Sequence, residues 1–221
     1  MKDNLIHLCF VIDESGSMYG SKADVVGGFN NLIEEQKKVE DGECIVSVYR
    51  FASSVSKDFI GKPLDEVGEL KYNPGGGTAM NDGIGTAIHE IGVWLNDMDE
   101  SKRPAKNMIV IMTDGEENMS CEYTLEQVKE MIKHQEEKYN WSFVYMGSDV
   151  SSLDDAKALG ISLMSVSAKN NITKNYANVG SYARSFRCAK SSSDVLLAQT
   201  MFETELEQDT QRYEAANGIK V

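Results

Sequence analysis

The sequence predicts an α/β fold: a doubly wound, mostly parallel sheet with one antiparallel edge strand and helices on both faces. Three observations carry that prediction. Two runs, Leu5–Ile12 and Asn107–Thr113, are apolar through most of their length rather than alternating, and each is followed by a carboxylate, Asp13 or Asp114. Runs of that kind read as strands buried on both faces. Strand-like and helix-like segments then alternate along the chain, the order that builds parallel crossovers. No internal repeat or low-complexity segment interrupts the alternation.

The first strand ends in Asp13-Glu14-Ser15-Gly16-Ser17-Met18. Ser21-Lys22-Ala23-Asp24 has the form of a capping box with Asp in place of Glu, and it opens a helix whose apolar residues Val25, Phe29, Leu32 and Ile33 recur at helical spacing as far as Gln36. Asp41-Gly42 turns the chain into a second strand, Cys44–Phe51. Val55–Ile60 alternates loosely and is expected as the antiparallel edge strand. Residues 61–74, with Pro63 and Pro74, read as connecting structure with one helical turn. Gly75-Gly76-Gly77-Thr78 is a tight loop. From Asn81 the pattern Ile84, Ala87, Ile88, Ile91, Trp94 and Leu95 predicts an amphipathic helix, and its glycines Gly83, Gly85 and Gly92 imply close packing against the sheet.

After the strand that ends at Asp114, a helix capped by Thr124 runs through Leu125, Val128, Met131, Ile132 and Gln135. Trp141–Met146 and Ile161–Val166 are strands, with a short helix from Ser151 or Ser152 to Leu159 between them. Asn171–Arg187 is a helix with Tyr176, Val179, Tyr182, Ala183 and Phe186 on one face. The main domain is expected over residues 1–189. Residues 190–221 form an acidic, helix-prone extension after a Ser-rich break, which either docks on the domain or forms an arm for a partner.

Composition narrows the function. The chain has 221 residues, 41% of them hydrophobic, enough for one sizeable core. Its formal net charge of −13 repels phosphate backbones. The short basic pairs Lys37-Lys38 and Lys102-Arg103 are flanked by acids, so nucleic acid is not an expected partner. Cys9, Cys44, Cys121 and Cys188 form no CxxC pair, which argues against zinc and thioredoxin-like chemistry. A Cys9–Cys44 disulfide would need neighbouring strands and an oxidising compartment. No signal-peptide core or membrane-length apolar run is present, so a cytoplasmic location is expected.

Asp13, Ser15 and Ser17 can converge on one point, and all three offer oxygen, the donor set of a hard divalent cation such as Mg²⁺. Thr78 and Asp114 sit on loops that meet the same carboxyl edge of a doubly wound sheet, where ligands bind at the switch point. Taken singly, Asp13, Ser15 or Ser17 could be helix N-caps, and Asp114-Gly115 a turn. Asp82 reads as a first-turn acid of its helix, and Glu116 and Glu117 as a solvated rim. Met18 and Tyr19 are either partner contacts or burial against the first helix. His7, His89 and His134 show no metal spacing.

The combination of Asp13-Glu-Ser15-Gly-Ser17, Thr78 within Gly-Gly-Gly-Thr-Ala, and Asp114 at a strand end resembles the von Willebrand factor A (VWA) domain, a Rossmann-like fold, with a complete metal ion-dependent adhesion site. The resemblance covers residues 5 to about 167. It implies direct metal ligation by Ser15 and Ser17, ligation by Thr78 directly or through water, and charge from Asp13 and Asp114 mainly through water or hydrogen bonds. It further implies Mg²⁺, with Mn²⁺ or Ca²⁺ as alternatives, and a partner protein whose Asp or Glu completes the metal's coordination. An intracellular adaptor is the expected role.

An enzyme is the competing reading. Haloacid dehalogenase-type phosphotransferases also begin with Asp at the end of a first strand, but they use D-x-D, and Ser15 occupies the second position here. No G-x-S-x-G elbow, Walker A loop or dinucleotide-binding glycine motif is present. A scaffold with a purely structural metal is the third possibility.

Overall fold

The computed structural model describes residues 1–147, 152–166 and 172–217. The sheet comprises β1 (Lys2–Asp13), β2 (Glu43–Phe51), β3 (Val55–Pro63), β4 (Pro104–Thr113), β5 (Ser142–Gly147) and β6 (Leu163–Val166), in the spatial order β3-β2-β1-β4-β5-β6. Every neighbouring pair is parallel except β2–β3, the antiparallel edge. The helices are α1 (Lys22–Lys37), α2 (Met80–Asp97), α3 (Leu125–Tyr139), α4 (Ser152–Leu159), α5 (Ile172–Cys188) and α6 (Ser192–Asn217). The alternating segments of the sequence thus form the expected doubly wound layers.

Alternation along β1 divides the core in two. Ile6, Leu8, Phe10 and Ile12 enter the layer beneath α1, α5 and α6, whereas Cys9 and Val11 enter the layer beneath α2, α3 and α4. Phe10 meets Phe29 of α1 edge to face, with ring centroids 5.1 Å apart. Truncating a phenylalanine this buried costs about 3–5 kcal/mol. The same alternation separates two cysteines on adjacent strands: Cys44 is in register with Ile6 and shares its layer, while Cys9 faces the other layer. All four cysteines are free thiols.

Of the two helix starts that the sequence marks with a capping motif, one follows its local chemistry and one does not. Thr124 caps α3 by accepting from the Gln127 N–H at 3.2 Å, and the Gln127 side chain accepts from the Thr124 N–H at 2.8 Å, a full capping box. The expected box at Ser21 does not form. A 3-10 turn, Gly16–Ser21, leads into α1 and leaves Ser21 at φ −102°, ψ 3°, without a side-chain capping bond. Capping needs the extended backbone that this turn denies. Two cations close the opposite pole. Arg187 donates to the carbonyl of Gln36, at the end of α1, and to that of Gly42, in the turn before β2, and Lys106 donates to those of Phe186, Arg187 and Ala189, at the end of α5.

Two glycines of α2 admit aromatic rings, Gly83 one from the sheet, as expected, and Gly85 one from the loop before α3. A Cβ on Gly83 would fall 2.8 Å from Phe51, and one on Gly85 would fall 2.5 Å from Tyr123. Gly92, expected to pack likewise, faces open space. The acidic extension is packed where described: Ala198, Phe202 and Leu206 of α6 are buried, and Phe202 stacks on Tyr182 of α5 at 4.7 Å. Its other face exposes Leu196, Leu197 and Met201. The expected helix starts at Ser151 and Asn171 lie outside the described residues. Among the described residues no helix is long and apolar enough to cross a membrane.

His7 ties the centre of the sheet together. One ring nitrogen lies 2.7 Å from Ser47 Oγ on β2 and the other 3.2 Å from Asn107 Oδ1 on β4. Burial lowers its pKa from 6.5 to about 4, against the opposing effect of the Asn107 hydrogen bond. The folded state therefore binds fewer protons than the unfolded chain between these two values, and stability falls as pH drops through that window. The loss reaches about 3 kcal/mol at the lower end. Urea titrations at pH 7, 5.5 and 4.5 should show a shallower decline for His7→Gln than for the wild type. Equal slopes would contradict this assignment.

Candidate functional site

The order of strands reverses between β1 and β4: from β1 the chain moves outward to β2 and β3, then returns to β4 and proceeds to β5 and β6 on the other side. Crossovers leave on opposite faces at such a point, so the loops diverge and a crevice opens at the carboxyl ends of the two strands. Asp13 ends β1, and Asp114 immediately follows β4.

Asp13 is fully buried, and both its carboxylate oxygens are engaged. Oδ1 accepts from the Ser15 N–H at 2.7 Å, and Oδ2 accepts from the Thr113 hydroxyl at 2.6 Å. Burial raises its pKa; the Thr113 and Ser15 hydrogen bonds oppose that rise, and the nearby Asp114 charge adds to it. The loop folds back over the carboxylate and brings its two hydroxyls together. Ser15 Oγ lies 2.9 Å from Ser17 Oγ, and the Ser17 hydroxyl donates to Asp114 Oδ1 at 2.6 Å. Thr78 arrives from the glycine-rich loop before α2 and is buried. A Cβ placed on Gly115 would lie 3.2 Å from Thr78 Oγ1, 3.3 Å from Ser17 Oγ and 3.5 Å from Asp13 Oδ2. Three oxygens from two loops, the one that ends β1 and the one that precedes α2, thus border one small space that Gly115 leaves open.

All five residues singled out in the sequence are therefore brought together. Asp13, Ser15 and Thr78 form the buried floor, while Ser17 is exposed and Asp114 half-buried at the mouth. Carboxylate and hydroxyl oxygens make up the donor set, which suits a hard cation and not a thiophilic one. Among the described residues no group of three or more His, Cys, Asp or Glu side chains forms an alternative metal cluster. The two residues beside the loop divide: Met18 is buried in the core, and Tyr19 is 76% exposed.

Several supporting residues carry no motif signal. The Thr113 hydroxyl bridges Asp13 and the Gly115 region, accepting from the Gly115 N–H at 3.1 Å. Tyr72 donates its hydroxyl to the Asp13 carbonyl. Asp82 does more than place charge in the first turn of α2, because its carboxylate accepts from the N–H groups of Cys121, Glu122 and Tyr123 at 2.8–2.9 Å. Glu117, expected on a solvated rim, accepts from the N–H groups of Asn81, Met119 and Ser120 and from the Ser120 hydroxyl. Asn118 Oδ1 accepts from the Thr78 N–H at 2.9 Å. Together these bonds fix the 115–124 loop onto the start of α2, and so fix Thr78 relative to Asp114.

One further arrangement has the outline of a nucleophile relay: Ser47, His7 and Asn107 are linked in that order. All three residues are buried, with Ser47 and His7 at 0% exposure, so the hydroxyl is withheld from substrate. Its role here is to join three strands.

Removing the Asp82 anchor leaves three N–H groups without their acceptor. Asp82→Ala should lower unfolding stability by about 2–4 kcal/mol and speed proteolytic cleavage within residues 115–124. Wild-type stability and cleavage would contradict the anchoring role.

With this geometry in hand, comparison with known proteins places the chain. A family model described as the von Willebrand factor type A domain matches residues 7–203. No curated protein matches in sequence. Among solved structures, proximal thread matrix protein 1 from the mussel byssus, in a form with a zinc-occupied MIDAS motif, superposes with a TM-score of 0.58 at 18% identity, covering 83% of this chain and 47% of that one. A von Willebrand factor type A protein from Catenulispora acidiphila gives 0.55 at 14% identity, covering 83% and 43%. The manganese-loaded TRAP protein of Plasmodium vivax gives 0.52 at 18% identity, covering 79% and 72%. The chain spans about half the length of the mussel protein, and at these identities the likeness establishes the fold alone. Through the family model, which takes in both the β1 loop and most of the sheet, the chain belongs to the von Willebrand factor type A domain family.

Proposed function

We propose that the chain is a cytoplasmic protein-binding module, not an enzyme, that holds a divalent cation among Asp13, Ser15, Ser17, Thr78 and Asp114 and engages an Asp or Glu side chain of a partner protein, as an adaptor in a larger assembly. Mg²⁺ is the proposed resident ion, with Mn²⁺ or Ca²⁺ as alternatives. The observation behind the proposal is the convergence of these five oxygen-bearing side chains at the reversal of the sheet. Zinc in the mussel protein's MIDAS and manganese in the TRAP structure support a divalent ion in folds of this kind.

The residues divide the work. Ser15 and Ser17 offer hydroxyl oxygens, and Thr78 adds a third from a separate loop. Asp13 holds Ser15 and Thr113 while supplying negative charge from a dry position. Asp114 orients Ser17 and adds charge at the mouth. When bound, the cation supplies a positive centre that attracts a carboxylate. The opening at Ser17 and Asp114 favours this role over a purely structural ion, since a partner's side chain can approach there.

Mg²⁺ at one hundred times its dissociation constant should stabilise the fold by about 2.7 kcal/mol, which raises the melting temperature by about 5–10 °C at this chain length. Ser15→Ala and Asp114→Ala should abolish the rise measured by scanning calorimetry; an undiminished response would overturn the site. Capture of a partner from lysate should be lost in EDTA and restored by Mg²⁺. Capture indifferent to chelation would point to another interface, and metal-dependent phosphoester turnover that Ser15→Ala abolishes would favour the hydrolase reading.

A further inference from the structure

The residue between the first two motif positions, Glu14, does not face the oxygen cluster. Its side chain is 13% exposed and lies between two other segments. Oε2 accepts from Arg50 Nη1 at 2.6 Å, and Oε1 accepts from the Asn73 N–H. Arg50 cannot swing away freely, because its Nε and Nη2 donate to Asp58 on β3. The Glu14 main chain is engaged on both sides as well: its N–H donates to the Phe51 carbonyl at 2.7 Å, and its carbonyl accepts from the Gly75 N–H at 2.8 Å.

These contacts join two loops that have no reason in sequence to keep a fixed spacing. One carries Asp13, Ser15 and Ser17. The other runs from Tyr72 to Thr78. Besides the Glu14 bonds, the second loop is held by the Gly16 N–H to the Gly76 carbonyl at 3.1 Å and by the Gly77 N–H to Ser53 Oγ at 2.8 Å. Glu14 is the charged side chain in this seam, and a charge-assisted bond is roughly twice as strong as a neutral one. Its partner Arg50 is braced by a second carboxylate, so the pair has one geometry.

We propose that Glu14 is the positioning residue of the cation site: held by Arg50 and Asn73, it sets the distance between the hydroxyls of Ser15 and Ser17 and that of Thr78. The inference rests on the cation-site reading above and adds a residue outside the five oxygen donors. Glu14 does not touch the ion. It acts by keeping the two loops in register, and loss of such outer partners typically weakens metal sites by 10–100-fold.

Glu14→Gln retains an acceptor for the Asn73 N–H but loses the charged bond to Arg50. Titration of the full chain with Mg²⁺ alone, followed calorimetrically, should show binding weakened at least about tenfold, with the metal-free melting temperature lowered by no more than a few degrees. Arg50→Gln should weaken binding similarly, and the double variant should be no worse than the weaker single variant, because both substitutions break one link. A merely structural role would instead lower metal-free stability and leave Mg²⁺ affinity intact in the folded fraction. Wild-type affinity in Glu14→Gln while Ser15→Ala fails to bind would overturn the positioning role and leave the site standing. Fully additive losses in the double variant would also overturn it. Absence of Mg²⁺ binding in the wild type, or no effect of Ser15→Ala, would overturn the site itself and this inference with it.

Discussion

The hydrogen bond from the Thr113 hydroxyl to Asp13 Oδ2 joins the ends of the two central strands, and the rest of the site depends on it. A carboxylate buried at the end of a parallel strand is costly unless its oxygens are occupied. Here one oxygen takes a hydroxyl from the neighbouring strand and the other takes the N–H of its own loop. Satisfying the carboxylate therefore folds the Ser15–Ser17 loop and aligns it with the end of β4. The crevice is a property of the topology, while its oxygen-lined floor is a property of this buried acid.

Charge in the chain follows the same logic at longer range. With a net charge of −13, acids outnumber the basic partners available to them. Many of those near the site are used as acceptors for backbone N–H groups. Asp82 gathers three consecutive amides, Glu117 gathers three amides and a hydroxyl, and Glu14 takes one amide besides Arg50. Irregular loops leave such amides without a ladder partner, and each buried one requires an acceptor. Acidic residues thus fix the loops whose neutral hydroxyls line the crevice. At the other pole the sign reverses, and Arg187 and Lys106 satisfy carbonyls at the ends of α1 and α5 and in the turn before β2.

Much of the fold was legible because its signals are local. The largely apolar character of Leu5–Ile12, broken only by His7, marked a strand buried on both faces, and the structure places it at the centre of the sheet. Thr124 was readable as a cap because a capping box spans only four residues. Ser21 misled for the same reason: its tetrapeptide fits a box, but the preceding 3-10 turn sets its backbone angles. Gly83 and Gly85 signalled close approach, whereas Gly92 shows that a glycine in a helix need not have a neighbour. Whether the acidic extension docks was not legible from residues 190–221 alone, since Phe202 finds its stacking partner, Tyr182, on α5.

The sequence by itself determined the order of strands and helices and the five oxygen-bearing residues, because periodicity and donor chemistry are written in residue type and short spacing. The tertiary structure decided which of the many acids would anchor loops. Asp82 meets amides 39 to 41 residues away, and Glu14 reaches Asn73 across 59. A carboxylate on a solvated helix turn and one that ties down a loop have the same sequence signature. They differ only in which N–H groups the folded chain brings within reach, and that depends on how the crossovers place loops at the reversal of the sheet.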